Sequence, residues 1–127
     1  MKIFDTNLII YSFNEEFHFL HDELFDTKGY VSIITKLEVL GYKDITADEK
    51  IYFGNLFSKI GNLTVSDDII ERGITLRQNH KMSLGDSIIA ATALVHNLTL
   101  YTHNVRDFKW IKELKIVDPL KNSTKRK

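Results

Sequence analysis

Cysteine is absent from all 127 residues, which excludes disulfides and thiolate metal sites and fits a reducing cytoplasm. Proline occurs once, at Pro119, and there are no repeats, low-complexity segments or internal linkers. The chain therefore reads as a single domain, long enough to bury a core without staples. No stretch is long and uncharged enough to span a bilayer, and the N-terminus reaches Asp5 too soon to form a secretory signal. A soluble cytoplasmic protein with no membrane contact is expected.

Net charge is also lacking, with 17 Lys and Arg against 17 Asp and Glu. The balance is uneven, because the segment after Pro119 holds Lys121, Lys125, Arg126 and Lys127 and no acid. Residues 1–120 are expected to form the domain and 121–127 a basic flexible tail, either solvated or touching phosphate. The domain alone is mildly acidic. A protein that grips nucleic acid through Lys and Arg usually looks different, so a polyanionic ligand would need a cation to mediate.

What is present is alternation. Short runs rich in β-formers recur as "KIF" (2–4), "YVSII" (30–34), "NLTV" (62–65), "LTLY" (98–101) and "KIV" (115–117). Helical patterns over 47–60, 67–79 and 84–96 lie between them. Ile69, Ile70, Gly73 and Ile74 share one stripe, and "LGDSIIAATALVH" is small and apolar enough to be buried against a sheet. These features predict the α/β class: a three-layer α/β/α sandwich around a mainly parallel five-stranded sheet. Ligands in such folds bind beyond the carboxyl ends of the strands, where Asp5 sits directly after "KIF".

Three more acids are placed comparably: Glu38 after "YVSII", Asp86 at the start of the small-residue helix, and Asp107 after "LTLY". Each lies three residues after Thr35, Ser83 or Asn104, the pattern of a capped helix start. Thr46 and Glu49 show the same pattern in charged surroundings with no strand before them, so Glu49 is assigned to capping alone. Asp86 differs in sharing a stripe with Ile89, Ala90 and Ala93. Two carboxylates about 4 Å apart repel by roughly 4 kcal/mol at an effective dielectric near 20. Helix N-termini offset only about 0.3–1 kcal/mol each. Oxygen donors in such a cluster suit Mg²⁺ or Mn²⁺, and an ion held there would join an acidic protein to a phosphodiester.

"FDTN", "TKLEVLGY", "LGDSIIAATAL" and "YTHNVRDF", in that order, resemble the motifs of PIN-domain ribonucleases, particularly the small VapC-type toxins of toxin–antitoxin pairs. The resemblance spans nearly the whole chain. It implies that Asp5, Glu38, Asp86 and Asp107 form the catalytic site, with Asp5 and Asp86 as central metal ligands and Glu38 and Asp107 completing the shell. Thr6, Asn7, Thr102 and Asn104 would support them by hydrogen bonding. The implied activity is endonucleolytic cleavage of RNA with Mg²⁺ or Mn²⁺, the implied partners a cognate antitoxin and a second copy in a homodimer.

His18 and His21 have a chelating spacing but no second ligand pair, and read as ordinary helix residues. His103 reads as a surface residue rather than a proton carrier. Asp67 and Asp68 favour the start of the next helix. The aromatic stretch "FNEEFHFLHDELF" (13–25) carries more apolar surface than one short helix can bury, suggesting a partner groove or core packing. Two rival readings are a receiver-like phosphoacceptor signalling domain, using Asp67 or Asp68, and a catalytically silent PIN-like module that binds RNA or protein.

Overall fold

The computed structural model describes residues 1–25 and 28–121. Most of the expected basic tail, 122–127, lies outside the described residues. Five strands form one sheet: β1 (Lys2–Phe4), β2 (Gly29–Ser32), β3 (Gly61–Leu63), β4 (Thr99–Tyr101) and β5 (Ile116–Val117). Their order is β3-β2-β1-β4-β5, and every neighbouring pair is parallel. The α/β prediction holds, and the sheet is entirely rather than mainly parallel.

The pleat divides the core. Alternate residues of a strand point to opposite faces, so Ile3 and Leu100 join Ile69, Ile89, Ala90 and Phe108 in one apolar cluster. Phe4 and Val31 enter a second cluster with Leu8, Leu24, Phe53 and Leu56. The first face is covered by α5 (Asp67–Asn79), α6 (Leu84–His96) and α7 (Val105–Phe108). The second is covered by α1 (Thr6–Tyr11), α2 (Leu20–Leu24), α3 (Ile33–Leu40) and α4 (Ala47–Lys59). Among the described residues no helix is long and apolar enough to cross a membrane.

Caps explain the best-placed helices. Thr46 and Glu49 form a reciprocal capping box at α4, and the Ser66 and Ser83 hydroxyls accept the Ile69 and Asp86 amides at α5 and α6. Asn97, at φ 55°, closes α6 in the left-handed conformation and turns the chain into β4. Where capping opposed the apolar pattern, capping won. The expected strand over 30–34 stops at Ser32, whose hydroxyl accepts the Ile34 amide at 3.2 Å and starts α3. Thr35 is therefore inside a helix rather than its cap. The stripe on α5 splits, with Ile69 and Gly73 buried and Ile70 and Ile74 exposed. The aromatic stretch is not one helix but a 3₁₀ turn (Glu15–Phe17) followed by α2.

Candidate functional site

The strand order reverses direction between β1 and β4, and the crevice beyond their carboxyl ends is where open α/β sheets bind ligands. Asp5 leaves β1 there and Thr102 leaves β4. The Thr102 hydroxyl donates to Asp5 Oδ2 at 2.8 Å and accepts the Asn104 amide at 2.9 Å. Asp5 is the N-cap residue of α1, yet its side chain caps nothing; the carboxylate is turned to the crevice and is only 3% exposed. Burial drives its pKa up to about 6, helped by the negative charges of Asp86 and Glu38 and opposed by the Thr102 hydroxyl and Thr6 amide.

Asp86, half-buried in the first turn of α6, also has a raised pKa. Burial is the main cause, Ser83 pulls the other way, and the charges of Asp107 and Glu38 add to the rise. Glu38 does not follow a strand end directly, as expected; it projects from the second turn of α3. Its Oε1 accepts the Thr6 hydroxyl at 2.8 Å, and that hydroxyl also meets Thr35 Oγ1 at 2.9 Å. A Cβ on Gly85 would stand 3.0 Å from Glu38 Oε2, so α3 and α6 approach closely at that glycine. Asp107 is exposed on α7, and Asn104 makes no side-chain cap there. Its contribution to the cluster is the field it exerts on Asp86.

The structure thus brings the four acids into one electrostatic neighbourhood, with Thr6 and Thr102 bonded to two of them. Asn104 reaches the cluster only through its backbone amide, and among the described residues no hydrogen bond ties the exposed Asn7 to the acids. Thr35 is a supporting residue that the sequence reading assigned to capping instead. As placed, no three His, Asp or Glu side chains among the described residues are grouped to hold a metal ion. The donor chemistry nonetheless fits a hard divalent cation: oxygen only, partly dehydrated, and of one sign.

Asp86 and Asp107 open onto a groove of about 670 Å³ that also carries His80, Lys81, Met82, Ser83 and Arg106. Local positive charge therefore has a protein source, where the sequence pointed to a bound cation alone. An adjoining groove of about 550 Å³ between α5 and α6 shares Lys81 and Met82 with it, is lined further by Ile70, Ile74 and Leu84, and contains no acid.

His21 and His103 have structural partners. His21 Nε2 lies 3.1 Å from Ser12 O and 3.0 Å from Tyr52 Oη, which occupies it as a tether, and His103 Nδ1 lies 3.1 Å from Asp118 Oδ2 at the surface. Asp67 and Asp68 sit exposed in the first turn of α5, following the edge strand β3.

The PIN-domain family model matches residues 2–114. This chain belongs to the PIN-domain family. Among solved structures, this PIN domain is 34% identical to a chain of a toxin–antitoxin complex from Klebsiella pneumoniae, covering 94% of this chain and 98% of that one with a TM-score of 0.76. DNA-bound VapBC from Salmonella typhimurium shares the fold at 20% identity and a TM-score of 0.80, over 92% and 96% of the two chains. FitAcB from Neisseria gonorrhoeae shares it at 24% and 0.72, over 94% and 99%. The likeness to VapC-type toxins expected from the four motifs holds. A 74-residue stretch is also 34% identical to phosphomevalonate kinase erg8 of Aspergillus fumigatus, covering 57% of this chain but only 15% of that protein. The sheet order differs from the 2-1-3-4-5 arrangement of receiver domains, which removes the phosphoacceptor alternative.

Proposed function

We infer that this PIN domain is an endoribonuclease dependent on Mg²⁺ or Mn²⁺, acting in the cytoplasm as a VapC-type toxin restrained by a separate antitoxin. The observation that carries this reading is Asp5: a carboxylate 3% exposed, at the sheet's switch point, with its pKa pushed up to about 6 beside two further acids. Such a group is most comfortable beside a positive ion.

In this reading Asp5 and Asp86 are the central ligands, and Glu38 and Asp107 complete the acidic shell. When bound, the divalent ion supplies Lewis acidity at the scissile phosphodiester. The chain's own groups do the positioning. Thr102 fixes the Asp5 carboxylate, and the Thr35–Thr6 hydroxyl pair holds Glu38 across α1 and α3. Ser83 orients the first turn of α6, from which Asp86 projects. Asn7 and Asn104 would offer their side-chain amides to substrate.

Phe13, Phe19 and Phe25 remain 41%, 39% and 43% exposed on the aromatic segment, which suits coverage by an antitoxin, and a homodimer completes the assembly. Purified chain should cut RNA with Mg²⁺ or Mn²⁺, stop on chelation, and lose cutting in Asp5→Asn. Equal cutting by that variant, with contaminating nucleases excluded, refutes the site. RNA binding without cutting by the parent would favour the silent-module alternative.

A further inference from the structure

The groove in front of Asp86 and Asp107 contains more than acids. Its wall is formed by His80, the first residue after α5, where the backbone is extended and the amide is anchored to Leu76 O at 3.1 Å. The His80 ring lies over Trp110, with centroids 4.4 Å apart and planes inclined by 37°. The Trp110 indole N–H donates to the Asp107 backbone carbonyl at 3.0 Å. One tilted aromatic pair is therefore tied to the turn that carries an acid, and His80 is its more exposed member. Lys81 and Arg106 line the same groove, and among the described residues neither is engaged in an ion pair.

We propose that His80, backed by Trp110, is a stacking platform for one base of a single-stranded RNA, and that Lys81 and Arg106 hold the adjoining phosphates. The inference rests on the nuclease reading and deepens it by specifying the strand's form and path. An unpaired base offers a face to an aromatic ring, whereas bases inside a duplex are already stacked on each other. Two cations lining the same groove as one ring supply both kinds of contact a single strand offers, phosphate charge and base face.

The test uses the full chain carrying Asp5→Asn, so that RNA is bound and not consumed, with a short labelled oligouridylate in magnesium read by fluorescence anisotropy. Adding His80→Ala should weaken binding by about fivefold to a hundredfold, the usual loss for one stacked base, while binding of a duplex of the same length stays unchanged. Lys81→Ala and Arg106→Ala should each flatten the slope of log affinity against log salt by about 0.7. Trp110 is the only tryptophan, so its emission should change as the oligonucleotide fills the groove. In the cutting-competent parent, His80→Ala should raise KM and leave kcat within about twofold, with unfolding curves superimposable on the parent's.

Oligonucleotide affinity and KM unaffected by His80→Ala in a parent that cuts RNA would overturn the platform and leave the nuclease reading standing. Binding that depends on His80 in a parent that never cuts would do the opposite. A chain that neither binds nor cuts RNA would overturn both.

Discussion

Replacing Asp5 by Asn removes a charge that the fold holds at a loss. The carboxyl is 3% exposed and its pKa is raised from 3.8 to about 6, first by burial and then, against the Thr102 hydroxyl, by Asp86 and Glu38. A raised folded pKa means the folded chain binds the proton more tightly than the unfolded one. That contribution is fully present below about pH 3.8 and is lost as pH rises through about 6. At about 1.36 kcal/mol per tenfold change in proton affinity, the difference between acid and neutral pH is about 3 kcal/mol. Asparagine is neutral throughout and keeps an oxygen to accept from Thr102. Without divalent ions, Asp5→Asn should match the parent near pH 4 and exceed it by about 2–3 kcal/mol at pH 8, a rise in Tm of roughly 5–15 °C for a domain of this size. Urea unfolding of both proteins in chelator across that range measures the gap directly, and Mg²⁺ or Mn²⁺ should then stabilise the parent more than the variant. A gap that does not change with pH, or a parent more stable than the variant at pH 8, would refute the argument.

Thr102→Val removes the donor to Asp5 and the acceptor of the Asn104 amide. It should cost about 1–3 kcal/mol in denaturant unfolding and move the acid limb of the cleavage profile to higher pH, because the lost bond is one that lowers the Asp5 pKa. Gly85→Ala places a methyl 3.0 Å from Glu38 Oε2; the carboxylate must give way, so cleavage should fall while helix stability is unchanged or higher by about 0.5–1 kcal/mol. Glu49→Ala breaks the capping box at α4 and should lower stability by about 0.5–2 kcal/mol with cleavage per folded molecule unchanged, which separates a capping acid from the clustered ones.

Much of this arrangement could be read from local chemistry. The expected bounds of α4, α5 and α6 lie within a residue of the observed ones, because apolar patterns mark all three and the Thr46 and Ser83 cap signals precede two of them. Asp5 stood out because a carboxylate after an apolar strand calls for an explanation. Local pattern failed where two local signals competed, as at Ser32, where a hydroxyl ended a β-branched run and carried Glu38 into the site on a helix. It also failed where the answer is non-local. Nothing near Arg106 in sequence announces Lys81 as its neighbour across a groove, and the Thr6–Thr35–Glu38 bonds join segments that meet only once β1 and β2 pair.

The bond from Thr102 to Asp5 spans 97 positions of chain, and β1 completes its pairing only when β4 lies alongside. During synthesis Asp5 therefore precedes by 97 positions the segment that seals it in, and its carboxylate stays hydrated until that segment has been added. Burial of the carboxylate thus waits on a contact made far along the chain, and its low-dielectric chamber closes only once β4 has joined β1.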